Sequence, residues 1–323
     1  MKGPLFRASW QAPALVAAHP PRFVHPNKRV AFDVACPPGA PHAGTVTVSR
    51  WPAAALPTAA AGVADTRLVE APGFYTYDPP APGTIAWHKN FADPVVFGFY
   101  AGGLFAQDEM QITEHPALAS VRGALVAAGH GYTAEAGPTP VLVAGVERRC
   151  AVDTAPGLER GSIQGLYGNR FAAADPEVVR AATLRLDPPT VSNIVAVAAP
   201  HPGSGRYSAA DIRAVLVTAY SGYVAMVAES AALAPGAAVV LHTGFWGCGA
   251  FGGDRVLMTT LQVLAARWAG VHTLVMHLGD SAGRRAVVDA RAVLAALPPN
   301  ADTDTTIASL VARGFAWGVS DGN

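Results

Sequence analysis

Residues 243–254, TGFWGCGAFGGD, decide the reading of this chain. Gly244, Gly247, Gly249, Gly252 and Gly253 surround Phe245, Trp246, Cys248, Ala250 and Phe251 at the join of two regular elements. Upstream, residues 237–242 (AAVVLH) read as a short buried strand. Downstream, residues 255–270 (RVLMTTLQVLAARWAG) carry apolar residues at helical spacing behind Asp254, an N-cap residue type. The glycines therefore sit where backbone N–H groups and the positive end of a helix meet an anion, most naturally a diphosphate. A tight turn alone needs only one or two glycines, so ligand approach is the better reading of so many.

Composition narrows the partners. The chain has 323 residues, 51% of them hydrophobic, enough for a substantial core. Lys and Arg total 23 and Asp and Glu total 23, so no net field attracts nucleic acid or an anionic membrane, and any anion must be held locally. Cys36, Cys150 and Cys248 show no CxxC spacing, which argues against zinc and against a disulfide framework and suits a reduced cytoplasm. Lys2 and Arg7 precede only a short apolar run broken by Pro13, so no signal peptide is read. The apolar stretch 214–241 is interrupted by Glu229 and Pro235 and reads as a core helix of a soluble protein, not a membrane span. The oligomeric state stays open.

Residues 1–83 are Pro/Ala-rich, with β-like runs at 29–35 and 45–51, and are read as an N-terminal accessory segment. From residue 84 to 323 the pattern alternates. Strands are expected at 84–88, 141–146, 193–198, 238–243 and 272–278, and helices at 107–114, 117–128, 209–233, 255–268, 282–297 and 305–315. Such α/β rhythm implies a mixed central sheet with helices on both faces and ligands beyond the carboxyl ends of the strands. A second glycine-containing loop, 93–103 (DPVVFGFYAGG), leaves the 84–88 strand and runs into Gln107, Asp108 and Glu109 at a helix start. Two such loops suit a clamp on one ligand.

Acidic residues at a first helical turn are common for dipole reasons alone, so capping is the plain reading of Asp108 and Glu109 taken by themselves. Their side chains diverge by about 100°, which favours separate roles over a shared proton. His88, His201, His242 and His277 lie near strand ends without metal-ligand spacing, and no metal or other cofactor is assigned. Ser204, Ser281 and Ser320 lack a GxSxG context, and residues 98–103 match neither the P-loop nor the dinucleotide fingerprint.

At these residues the chain resembles the poly(ADP-ribose) glycohydrolase family, whose catalytic domain has a macrodomain-type three-layer fold. TGFWGCGAFGGD is similar to the family's TGNWGCGAFGGD, with Phe245 in place of Asn. FADPVVFGFYAGGLFAQDE, residues 91–109, keeps the spacing of the family's FAN, GGG and QEE, with Asp93 for Asn, Phe97, Gly98 and Phe99 for the triple glycine, and Asp108 for the first Glu. NIVAVAAP from Asn193, AYSGY around Tyr220 and LGDS at 278–281 resemble further family segments in the same order.

The resemblance implies that Glu109 is the catalytic acid/base and that Asp108 holds a ribose hydroxyl. It implies a substrate cleft formed by Asp93, Gly98, Phe99 and Gln107 on one side and Thr243, Gly244, Phe245, Trp246, Gly247, Cys248, Gly249, Ala250 and Phe251 on the other. Gly247 to Gly249 would cradle the diphosphate and Phe251 would pack on the distal ribose. Leu278 stands where the family places an aromatic against adenine. The expected function is cleavage of an O-glycosidic ribose bond in poly(ADP-ribose) or a related ADP-ribosyl conjugate, without a cofactor. The alternatives are a non-catalytic ADP-ribose-binding module and a hydrolase of a small nucleotide-sugar conjugate. The FGF loop and the shorter Asp108 motivate both.

Overall fold

The computed structural model describes residues 3–58, 65–157, 161 and 163–322. Their strands are β1 (Phe6–Gln11), β2 (Thr45–Arg50), β3 (Arg67–Ala71), β4 (Thr84–Asn90), β5 (Val141–Val152), β6 (Thr183–Ala196), β7 (Ala238–Thr243) and β8 (Thr273–His277). They form one sheet in the order β1-β2-β5-β6-β4-β7-β8-β3. β6, β4, β7, β8 and β3 run parallel, and β1, β2 and β5 pair antiparallel at one side.

The helices are α1 (Ala12–Ala18), α2 (Pro26–Ala35), α3 (Gln107–Glu114), α4 (Ala117–Ala127), α5 (Arg170–Ala173), α6 (Pro176–Ala182), α7 (Ala209–Leu233), α8 (Arg255–Ala269), α9 (Ser281–Ala295) and α10 (Thr303–Val311). Two-residue alternation along the central strands sorts the core into two layers. Trp87, Leu142 and Val195 face one side and pack with Tyr223 and Met226 of α7, Leu261 of α8 and Leu310 of α10. Val143, Ile194 and Ala196 face the other and pack with Leu15 of α1, Ile112 of α3 and Leu118 of α4. The expected mixed sheet between helical layers is the observed fold.

α3 and α7 span the ranges read from periodicity, and α4, α8 and β7 agree to within a residue or two. The run 29–35 does not form the expected strand. It is the end of α2, started by Pro26 at the first turn and by His25, whose Nδ1 accepts the Asn27 N–H. Val30, Phe32 and Val34 mimic strand alternation, whereas the buried face is Asn27, Lys28, Ala31 and Ala35 at helical spacing. The segment before residue 84 also supplies β1 and β2 to one end of the sheet and β3 to the other. By length and composition α7 is apolar enough to cross a membrane, yet 61% of its most apolar window is buried inside the protein.

Candidate active site

Parallel pairing of β4 with β7, His88 opposite His242, brings the carboxyl ends of both strands to one edge. The loops that follow them are therefore neighbours. Phe91, just past β4, lies under the second loop, where a Cβ on Gly244 would stand 3.5 Å from its ring.

The glycine loop is a compact frame with an open outer edge. Thr243 is buried and donates to Gln262 Oε1 at 2.7 Å, while Gln262 Nε2 donates to the Gly244 carbonyl at 3.0 Å. Trp246 is buried, its indole N–H bonded to the Val197 carbonyl at 2.9 Å, with Lys89 Nζ 3.4 Å over its ring. Lys89 is itself fully buried and donates to Tyr223 Oη and Gln262 Oε1, both at 3.2 Å. Burial holds its amine well below the usual lysine range. The N–H groups of Trp246, Cys248, Gly252 and Gly253 close turns onto Gly244, Phe245, Gly249 and Gly247 carbonyls. Among the described residues, no acceptor takes the N–H groups of Gly247, Gly249, Ala250 and Phe251. Asp254 caps α8 through Leu257 N–H at 2.8 Å, which leaves these amides at the positive end of a 15-residue helix.

The segment 317–322 crosses this edge. Trp317 stacks on Tyr207 at 4.1 Å, and the Tyr207 hydroxyl accepts the Asp254 N–H. Gly318 N–H donates to Gly252 O at 2.7 Å, and Asp321 N–H to Gly249 O at 3.3 Å. Asp321 Oδ2 lies 2.9 Å from the place a Cβ on Gly249 would take, so this carboxylate stands beside the open amides.

Across the edge, Gln107 ties the start of α3 to the end of β4, accepting Phe91 N–H at 2.7 Å and donating to Lys89 O at 3.1 Å. Asp108 is buried and accepts from Asn90 Nδ2 at 2.8 Å. Burial and the adjacent Glu109 push its carboxyl up to about 8. Glu109, 3% exposed, accepts the Ala106 N–H at 3.1 Å. Burial raises its carboxyl too, against the backbone N–H groups and the Lys28 ammonium, which favour the charged form. A buried carboxyl raised in this way is one requirement of a general acid.

The residues at the triple-glycine position divide. Phe97 is fully buried in the α3/α4 core and holds φ +50°, the left-handed region that favours glycine. Phe99 is 57% exposed. At Gly98 a side chain would be a tight fit, since a Cβ would stand 3.0 Å from Val95 O. Asp93 turns back to accept Val95 N–H at 2.8 Å. Leu278 is 3% exposed, packed with Met276 and Val287, and Phe245 lies against this cluster with Arg255 4.7 Å over its ring. In this structure the Leu278 side chain faces the cluster, not the cleft.

Sequence reading missed three residues here. Lys28 of α2 couples electrostatically to Glu109 and Asp108. Tyr167 meets the backbone of Gln107 and stacks on Phe74, with Asp321 and Glu109 as its charged neighbours. Asp321 is the third. None carries a local motif, because all three reach the site from distant segments. Among the described residues, no three His, Cys, Asp or Glu side chains are grouped to hold a metal.

Residues 156–285 match the family model described as poly(ADP-ribose) glycohydrolase, macro domain fold. This part of the chain is similar to the poly(ADP-ribose) glycohydrolase family. The matched stretch contains the whole glycine loop, whereas the Asp93 to Glu109 segment lies before it. Among solved structures, the poly(ADP-ribose) glycohydrolase of Thermomonospora curvata bound to the inhibitor ADP-HPD is similar at 18% identity and TM-score 0.45, over 71% of this chain and 79% of that one. The Deinococcus radiodurans enzyme in complex with ADP-ribose is similar at 14% identity and TM-score 0.45, over 88% and 98%. Its apo form is similar at 13% identity and TM-score 0.43, over 87% and 95%. No curated protein matches the chain.

Proposed function

We propose that the protein is a glycohydrolase acting on an O-glycosidic ribose bond of poly(ADP-ribose) or a related ADP-ribosyl conjugate, in the reduced cytoplasm. The observation that carries this reading is the placement of the buried Glu109 carboxyl and the open Gly247, Gly249, Ala250 and Phe251 amides at one sheet edge. In this reading the diphosphate lies on the amides and the positive end of α8, with Asp321 displaced or turned aside, and the distal ribose reaches Glu109. Glu109 gives its proton to the leaving oxygen as the bond to the anomeric carbon breaks. The resulting carboxylate takes a proton from the water that attacks that carbon, which restores the acid. Asp108, shared with Asn90, is the hydrogen-bonding group for a ribose hydroxyl. The family match over the glycine loop supports the ligand, and the raised Glu109 carboxyl supports the chemistry.

A second reading, an ADP-ribose-binding module without turnover, is favoured by the bond that already occupies Glu109 Oε2 and by Asp321 beside the amides. The exposed Phe99 favours a third, hydrolysis of a small nucleotide-sugar conjugate, since a ring at the mouth narrows what enters. Incubation with ADP-ribosylated protein, with the polymer and with small conjugates separates them. The leading reading expects ADP-ribose release from the first or second, abolished in Glu109→Ala. Full activity in that variant would sink the mechanism, and ADP-ribose binding without release from any substrate would favour the module.

A further inference from the structure

Helix α2 delivers one basic side chain to the carboxylate pair. Lys28 is fully buried. Its Nζ donates to the Tyr100 carbonyl at 3.1 Å and lies 5.1 Å from the Phe105 ring centroid and 5.9 Å from that of Phe171. Tyr100 belongs to the loop leaving β4, and Phe105 is the fourth residue before Glu109. One ammonium therefore pins both ends of residues 100–105, whose path sets where α3 begins. Phe105 stacks on Phe171 at 4.0 Å, and Asn27 donates to the Phe171 and Ala174 carbonyls, so α2 anchors the far side of the same assembly.

A fully buried ammonium with one carbonyl acceptor is costly unless an opposite charge is near. Burial brings Lys28 down to about 8, and the Glu109 and then Asp108 carboxyls are the groups that resist this fall. The coupling is mutual, because Lys28 draws both carboxyls downward against burial.

We propose that Lys28 is a positioning residue for Glu109, fixing the loop that sets the start of α3 and supplying the counter-charge for the carboxylate formed during turnover. This rests on the reading of Glu109 as the acid/base. A reaction that passes through Glu109 as carboxylate, beside Asp108, places a bare negative charge in a buried site. Lys28, held on the Tyr100 carbonyl and over the Phe105 ring just ahead of α3, is the buried cation coupled to it. The other charged or titratable groups facing Glu109 are Asp108 on α3, Asp93 on the loop after β4, and Tyr167, which lies beside Asp321.

The test is carboxyl titration followed by NMR on protein labelled at glutamate side chains, in the unaltered chain, Lys28→Met and Lys28→Arg, alongside the pH profile of kcat/KM. Lys28→Met should move the Glu109 titration and the alkaline limb, where the general acid loses its proton, upward by about one pH unit. Lys28→Arg should restore most of the shift. A folded Lys28→Met with the Glu109 titration unmoved overturns the proposal. Should Lys28→Met fail to fold, the reciprocal measurement decides: the Lys28 side-chain titration should fall by a comparable amount in Glu109→Gln, and an unmoved Lys28 overturns it. Titration needs no turnover. A shift in a protein that releases no ADP-ribose from any substrate would remove the glycohydrolase reading and leave the Lys28–Glu109 coupling standing.

Discussion

Asn90 Nδ2 donates to Asp108 Oδ1 at 2.8 Å in a place that water does not reach. The bond favours the charged carboxylate, yet burial and Glu109 outweigh it and hold Asp108 up to about 8. A carboxyl raised on folding contributes stability in full below its unfolded value of about 3.9, and that contribution is lost as pH rises through about 8. Asp108→Asn keeps an acceptor for Asn90 and removes the charge. Its thermal midpoint should gain on that of the unaltered protein between about pH 5 and 8, and a constant difference would contradict this.

Gly252 holds φ +62°, and a Cβ there would stand 2.7 Å from Gly318 O. Gly252→Ala combines left-handed strain with a backbone collision. Denaturant unfolding should show a loss of about 1–3 kcal/mol. An unchanged midpoint would mean that residues 317–322 leave the loop in solution.

Much of this architecture was readable in advance, for reasons the residues make plain. α3 and α7 follow from helical periodicity, and the glycine loop follows from a density of glycine that a turn does not need. Val30, Phe32 and Val34 alternate like a strand although they lie in α2, so spacing alone points away from the helix that carries Lys28. Tyr167 and Asp321 were hidden for a different reason: tertiary contact alone brings them to Gln107 and Gly249. The fate of the two phenylalanines was also undecidable from spacing, since burial of Phe97 and exposure of Phe99 depend on how the loop turns at Gly98.

Asp321 sets its carboxylate beside Gly249, where the proposed diphosphate must lie. Two anions close together near the surface repel by about 1 kcal/mol, and salt screens the effect. Asp321→Asn should therefore tighten ADP-ribose binding about fivefold in calorimetry at low salt, with a smaller gain at high salt. Weaker binding in the variant would show that Asp321 helps to hold the ligand.

His88 stacks on His242 at 4.6 Å, and a hydrogen bond of 3.1 Å joins His242 Nδ1 to His277 Nε2. Burial lowers all three, His88 well below the usual range and the other two to about 4. Groups lowered on folding stabilise fully above their unfolded value of about 6.5, and this is lost as pH falls through the folded values. The thermal midpoint should fall between about pH 6.5 and 4, and His88→Phe should flatten that fall while keeping the stack. An equally steep fall in the variant would place the acid sensitivity elsewhere.

The central claim is that one ligand spans the Gly247 to Phe251 amides and the Glu109 carboxyl. A crystal structure with ADP-ribose bound tests it most directly. The account predicts diphosphate oxygens on the N–H groups of Gly249, Ala250 and Phe251, and the distal ribose within hydrogen-bond reach of Glu109. ADP-ribose seated away from these amides, or with its distal ribose turned from Glu109, would contradict it.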